Sequence, residues 1–256
     1  MTDQLSLILI TGIFIGGAAG YLGSLMLTKR MALVGDALGH VALPGMGLAL
    51  LFGLDVSLGA FIFLLLGIFL IWSLEIKTSL PTEALVGVIF VSSLAAGFLI
   101  VPQPELLESL FGDISMVSFK MAVISAVLSM AIFLTVSRIY PKMILASISS
   151  DLAKSEGIKV KKLNFIYLLL IAAIVALGVK IVGSLLVGAL VIIPAAAARN
   201  LSGSLKGYYL GSVVLGVLSC SLGIILSEFA DLPAGPAIIL TSAAFFLISL
   251  IFKRRA

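Results

Sequence analysis

The sequence predicts an all-α membrane protein of eight or nine transmembrane helices, with its N-terminus outside and its C-terminus cytoplasmic. Three observations carry that expectation. Of the 256 residues, 61% are hydrophobic and only 11% charged, with a mean hydropathy of +1.30; a soluble domain is nearer half apolar and a quarter charged. Apolar runs long enough to cross a bilayer as a helix recur along the whole length. The cations also sort by side: with the N-terminus outside, fourteen of the sixteen Lys and Arg fall in inner segments, leaving only Lys120 and Lys180 outside. The opposite topology inverts that ratio.

Taken in order, the runs fall at about 5–27, 31–52, 56–74, 84–101, 117–136, 163–179, 181–198, 205–226 and 237–252. The N-terminal MTDQ lacks a positive n-region, so the first run reads as a retained helix rather than a cleaved signal. The sixth and seventh runs are short and separated by little more than Lys180. They form either a tight hairpin or a half-span that lowers the count from nine to eight. The whole chain, 1–256, reads as a single transmembrane domain.

The first run carries Gly12, Gly16, Gly20 and Gly23 at mostly four-residue spacing, which lets helix backbones approach closely in lipid. The second run holds the chemistry. It reads KRMALVGDALGHVALPGMG from Lys29 to Gly47 and contains Asp36, the only histidine, His40, and Pro44. A carboxylate and an imidazole are costly inside a lipid-length apolar segment. Four residues apart, they share one helix face, offset by about 6 Å along the axis. Pro44 cannot donate to the His40 carbonyl, and Gly45 follows it, so a helix break and a freed backbone oxygen are expected beside them. Together these groups outline a polar path for a cation. The bland alternative has Asp36 capping or pairing with Arg30 near the cytoplasmic end and His40 satisfied in the core.

Further on, Thr82 and Glu83 suit a helix start. An outer segment, PQPELLESLFGDISMVS, carries Glu105, Glu108 and Asp113 but no cation, and reads as an interfacial stretch. The longest inner loop, about 141–164, holds a short helix capped by Ser149 or Ser150. Asp151 suits its first turn, followed by Leu152 and Lys154, with Glu156 and Gly157 at its end. Such a piece either docks a cytoplasmic protein or is a solvated linker whose cations fix topology. The seventh run contains Pro194, which frees a second backbone carbonyl, that of Leu190.

Several function classes are excluded. The net charge of +4 is modest and no soluble domain carries it, so nucleic acid is not a partner. One cysteine, Cys220, makes neither an intramolecular disulfide nor a Cys-based zinc site. There is no G-x-x-x-x-G-K-[ST], no H-E-x-x-H and no G-x-S-x-G, so neither ATP hydrolysis nor intramembrane proteolysis belongs to this chain. No enzyme activity is expected.

Four stretches resemble the permease subunits of zinc/manganese/iron-type ABC importers: RMALVGDALGHVALPG, TEALVGVIF, LFGDISMVS and KIVGSLLVGALVIIPAAAARNL. LPAGP before the last run also fits. In that family the second-run motif usually reads D-x-x-S-H, whereas Gly39 stands before His40 here. The resemblance implies a multi-pass permease of the cell membrane, working as a homodimer in lipid. Cytoplasmic ATP-binding subunits lie beneath it and an extracytoplasmic metal-binding protein above. It implies that Asp36 and His40 of both copies meet a transported divalent metal (manganese, zinc or iron), with no cofactor resident in the chain. Pro44, Gly45 and Pro194 then serve as gating breaks. Asp151, Leu152, Lys154, Glu156 and Gly157 then form the coupling element. Because ligation needs neutral imidazole, uptake is expected to decline as pH falls through about 6. The same residues also suit a stand-alone carrier that exchanges a proton on Asp36 for the cation.

Overall fold

The computed structural model of the chain describes residues 2–78, 80–100, 117–184 and 186–252. Among them lie eleven helices and no strand: α1 (Thr2–Thr28), α2 (Val34–Val41), α3 (Leu43–Leu51), α4 (Val56–Lys77), α5 (Thr82–Ile100), α6 (Phe119–Ile148), α7 (Ser150–Ser155), α8 (Val160–Val182), α9 (Val187–Leu201), α10 (Leu205–Ala230) and α11 (Ala234–Ile251). Eight segments are long and apolar enough to cross a membrane, α2 and α3 together making one of them. The seventh apolar run, α9, is a shorter helix of 15 residues, about 22 Å long at 1.5 Å per residue.

The glycines of α1 explain how the bundle closes. A Cβ on Gly16 would lie 2.5 Å from the Gly216 carbonyl oxygen, so α1 and α10 touch backbone to backbone. Gly12 faces Ile224 and Gly20 faces the Ser212 carbonyl, while Gly23 meets the Val191 carbonyl of α9. The small-residue stripe is thus used for packing within the chain, as in other membrane bundles. That pairing makes α10 antiparallel to α1 and starts α10 beside the C-terminal end of α1. A short linker then brings the end of α9 to the same place, and Asn200 Nδ2 donates to Ser249 Oγ near the end of α11 at 2.9 Å. Gln4 Nε2, at the other end of α1, donates to the Val117 carbonyl at 3.1 Å. The first and last described residues therefore lie at opposite ends of the bundle.

Two expectations need correction. The run at 117–136 does not end before a loop beginning at 141: α6 continues for 30 residues, straight through Pro141, to Ile148. The apolar run marks only the lipid-length part, and the helix projects beyond it with Arg138 and Lys142. Proline interrupts one hydrogen bond, and the long flanking turns hold the helix across it. Likewise α9 runs through Pro194 without a break, because Pro194 and Ala195, Ala197 and Ala198 are buried against neighbouring helices. Apart from Val117 and Ser118, the acidic outer segment expected at the interface lies outside the described residues.

Candidate functional site

The helix carrying Asp36 is short, eight residues, and almost entirely buried. It is set by a tight turn after α1 in which Arg30 takes a left-handed backbone (φ 61°) and points an exposed side chain away. Its fellow cation Lys29 turns inward. Asp36 sits in the first turn of α2 and is half-buried; His40 sits in the last turn, 8% exposed. The unbroken helix between them places both on one face, as the spacing predicts.

Neither side chain is tied up locally. Asp36 makes no hydrogen bond or ion pair to any described residue, so the expected alternative of a pair with Arg30 does not form. The one ion pair among the described residues joins Lys154 to Asp151. His40 Nδ1 is buried without a hydrogen-bond partner, and the imidazole lies tilted against the Phe90 ring of α5 with centroids 5.4 Å apart. An orphaned buried ring nitrogen costs free energy unless something arrives to bond it.

The chain does break where Pro44 predicts. Helix α2 ends at Val41 and α3 starts at Leu43, with Pro44 in its first turn. The freed oxygen, however, is not idle: the Ala42 amide donates to the His40 carbonyl at the cap, which removes that oxygen from the polar path. Gly45 has a packing role, since it and Gly59 of α4 press backbone on backbone, each blocking a side chain on the other.

The other wall comes from the α8–α9 turn, which lies where the sixth and seventh apolar runs meet. Helix α8 ends at Gly183 with φ 88°, a conformation glycine adopts readily. The fully buried Ser184 follows. A Cβ on Gly39 would lie 2.5 Å from the Ser184 carbonyl oxygen, and one on Gly188 only 2.6 Å from the Asp36 Cβ. The first turn of the short helix α9 is therefore seated against the first turn of α2. A helix that begins inside the bundle, beside an unpaired acid, is an arrangement that membrane transporters use for substrate sites. Pro194 lies further along α9, away from Asp36, and the two are not brought together.

At the end of the bundle that holds Lys29, the predicted short helix is present. Ser149 caps α7, its Oγ accepting from the Leu152 amide at 3.2 Å. Asp151 and Lys154 pair at 3.0 Å across an exposed face, and Leu152 is 49% exposed. Glu156 and Gly157 (φ 75°) end the element and turn the chain into α8. Among the described residues, no group of three or more His, Cys, Asp and Glu could hold a metal ion. A single copy thus offers Asp36 and His40 but not a closed set of protein ligands.

Residues 1–253 match the ABC 3 transport family. The chain belongs to that family. Among its curated relatives, the high-affinity zinc uptake system membrane protein ZnuB of Haemophilus influenzae is 32% identical over 252 residues, covering 96% of each chain. The manganese import system permease protein ScaB of Streptococcus parasanguinis is 32% identical over 245 residues, covering 94% of this chain and 88% of ScaB. In the solved structure of PsaBC from Streptococcus pneumoniae in complex with Fab, one chain superposes with a TM-score of 0.82 at 31% identity. That match covers 96% of this chain and 90% of the other. The eight apolar spans and these relatives make this ABC permease a multi-pass protein of the cell membrane.

Proposed function

We propose that the chain is the permease of an ATP-driven importer of zinc or manganese, and that the ion passes between Asp36 and His40. The observation that carries this reading is the pair itself. A carboxylate with no local partner and a buried imidazole with an unpartnered Nδ1 share one face, against a helix that begins within the bundle. Oxygen and imidazole nitrogen suit zinc and manganese alike, the metals after which the relatives ZnuB and ScaB are described; iron fits the same ligands.

Two donors are too few to strip a divalent ion of its water. A second copy of the chain supplies another Asp36 and another His40, giving a mixed four-ligand set at the dimer axis. The end of the bundle with Lys29 and α7 faces the cytoplasm, where α7 docks into an ATP-binding subunit through Leu152 and the Asp151–Lys154 pair. The opposite end receives the ion from an extracytoplasmic binding protein. Pro44 and Gly45, at the break between α2 and α3, let the two halves of that span tilt separately.

The test is uptake of labelled zinc and manganese into proteoliposomes holding the chain, its ATP-binding subunit and the binding protein. ATP inside should drive uptake, and Asp36→Ala and His40→Ala should abolish it while leaving the protein inserted. Uptake driven by a proton gradient without ATP would instead identify a secondary carrier.

A further inference from the structure

At the α7 end of the bundle a second polar cluster lies outside the Asp36/His40 site. Lys29 Nζ donates to Asn164 Oδ1 at 2.8 Å, and Asn164 Nδ2 donates to Glu75 Oε1 at 3.0 Å. Thr82 Oγ1 donates to the same Glu75 oxygen at 3.1 Å. Lys29 Nζ also stands 4.9 Å above the centre of the Tyr167 ring. In a few bonds the cluster joins the end of α1, the end of α4, the start of α5 and the first turns of α8.

Its placement is more informative than its strength. Asn164 is five residues into α8, and α8 follows α7 through only a short link. Lys29 directly follows α1 and opens the turn that feeds α2, seven positions before Asp36. Thr82 and Phe90 share α5, eight residues and about 12 Å apart, and Phe90 packs on His40. Each arm of the cluster thus leads from the α7 end toward one of the two site residues. A desolvated lysine is costly to keep, and Glu75 Oε2 is buried with no hydrogen-bond partner. A contact selected only to hold the helices together would be cheaper as packed leucine. A polar joint can instead exchange partners when the helices shift, as an apolar one cannot.

We propose that Lys29, Asn164 and Glu75 form the joint that transmits movement of α7 to the Asp36/His40 helix, acting as positioning residues for transport. This rests on the reading of α7 as the ATPase-docking element. Motion of α7 carries the first turns of α8. Asn164 then pulls on Lys29 and Glu75 together, so the α1–α2 turn and the end of α4 move as one.

The test is a partner swap in the reconstituted importer with its ATP-binding subunit and binding protein, reading zinc uptake and ATP hydrolysis in the same vesicles. Asn164→Asp sets two carboxylates against each other and removes the amide donor. It should cut uptake tenfold or more while hydrolysis stays within about twofold of wild type, raising the ATP consumed per ion. Adding Glu75→Gln returns a donor and acceptor pair at unchanged net charge, and should restore the wild-type ratio. The proposal is overturned if Asn164→Asp leaves the ratio unchanged, if uptake and hydrolysis fall together, or if the double variant is no better than the single. Failure of both variants to assemble would make the cluster a folding contact only and likewise overturn it. A wild-type chain that takes up zinc without any linked hydrolysis would overturn the importer reading as well, which separates the two failures.

Discussion

Gly188 of α9 lies with its backbone against Asp36 of α2: a Cβ added at 188 would stand 2.6 Å from the Asp36 Cβ and 2.7 Å from its amide nitrogen and Cα. Backbone cannot yield as a flexible side chain does, so one helix must move. Gly188→Ala is expected to cost about 1–3 kcal/mol of stability and to displace Asp36 enough to abolish metal uptake. Gly87→Ala, on α5 where nothing lies within 4 Å, serves as the control and should transport normally. Full uptake by Gly188→Ala would show that α9 does not position the acid.

Gly39 yields a less intuitive prediction. The family motif resembled by this segment carries a serine there, so restoring it would ordinarily be harmless. In this chain a Cβ at 39 would lie 2.5 Å from the Ser184 carbonyl oxygen and 3.0 Å from a Val187 methyl. Gly39→Ser should lower thermal stability and uptake together. A gain in uptake would mean that the α8–α9 turn yields easily and that the missing hydroxyl limits transport.

Lys29 supplies a pH test with a definite sign. Burial pushes its ammonium down to about 8, with Glu75 opposing the shift, from an ordinary value of 10.5. Between those values the unfolded chain binds the proton more tightly than the folded one, so this group makes the fold more stable as pH rises from 8 toward 10.5. Other groups titrate there, so the comparison is with Lys29→Met. Wild type should gain on the variant in thermal unfolding between pH 7.5 and 10. A difference that stays flat or shrinks would contradict the desolvation of Lys29.

The cap of α7 is open to a direct measurement. Ser149→Ala removes the acceptor for the Leu152 amide, worth about 1 kcal/mol, and should fray a helix of only six residues. If α7 docks the ATP-binding subunit, affinity for that subunit should fall several-fold. Ser149→Asp, another good cap, should restore it. Unchanged affinity in Ser149→Ala would place the docking surface elsewhere.

Much of this was legible in the residues themselves. The spacing of Asp36 and His40 survives as a shared face, the glycines of α1 pack as small residues should, and Ser149 caps where a capping residue precedes an acid. What was not legible came from contacts distant in sequence. Nothing local in Gly39 or Gly188 says that each is pressed against another helix. Lys29 and Glu75 read only as charges at the ends of apolar runs, because their meeting at Asn164 depends on how the ends of α1 and α4 meet the start of α8. Proline misled at Pro194, since a well-packed helix absorbs one missing hydrogen bond, and the helix before the inner loop likewise runs on through Pro141. At Pro44 the break is real, but the carbonyl it releases is taken up by Ala42.

The central claim, that the ion is held by Asp36 and His40, is tested most directly by X-ray absorption at the zinc edge on the purified permease carrying a histidine-free tag. His40 is the chain's only histidine, so any imidazole scattering must come from it. Zinc-loaded wild type should show mixed oxygen and imidazole scattering, with the imidazole component gone in His40→Ala and the oxygen shell reduced in Asp36→Ala. A zinc spectrum without imidazole in the wild type, or one that neither substitution alters, would contradict the account.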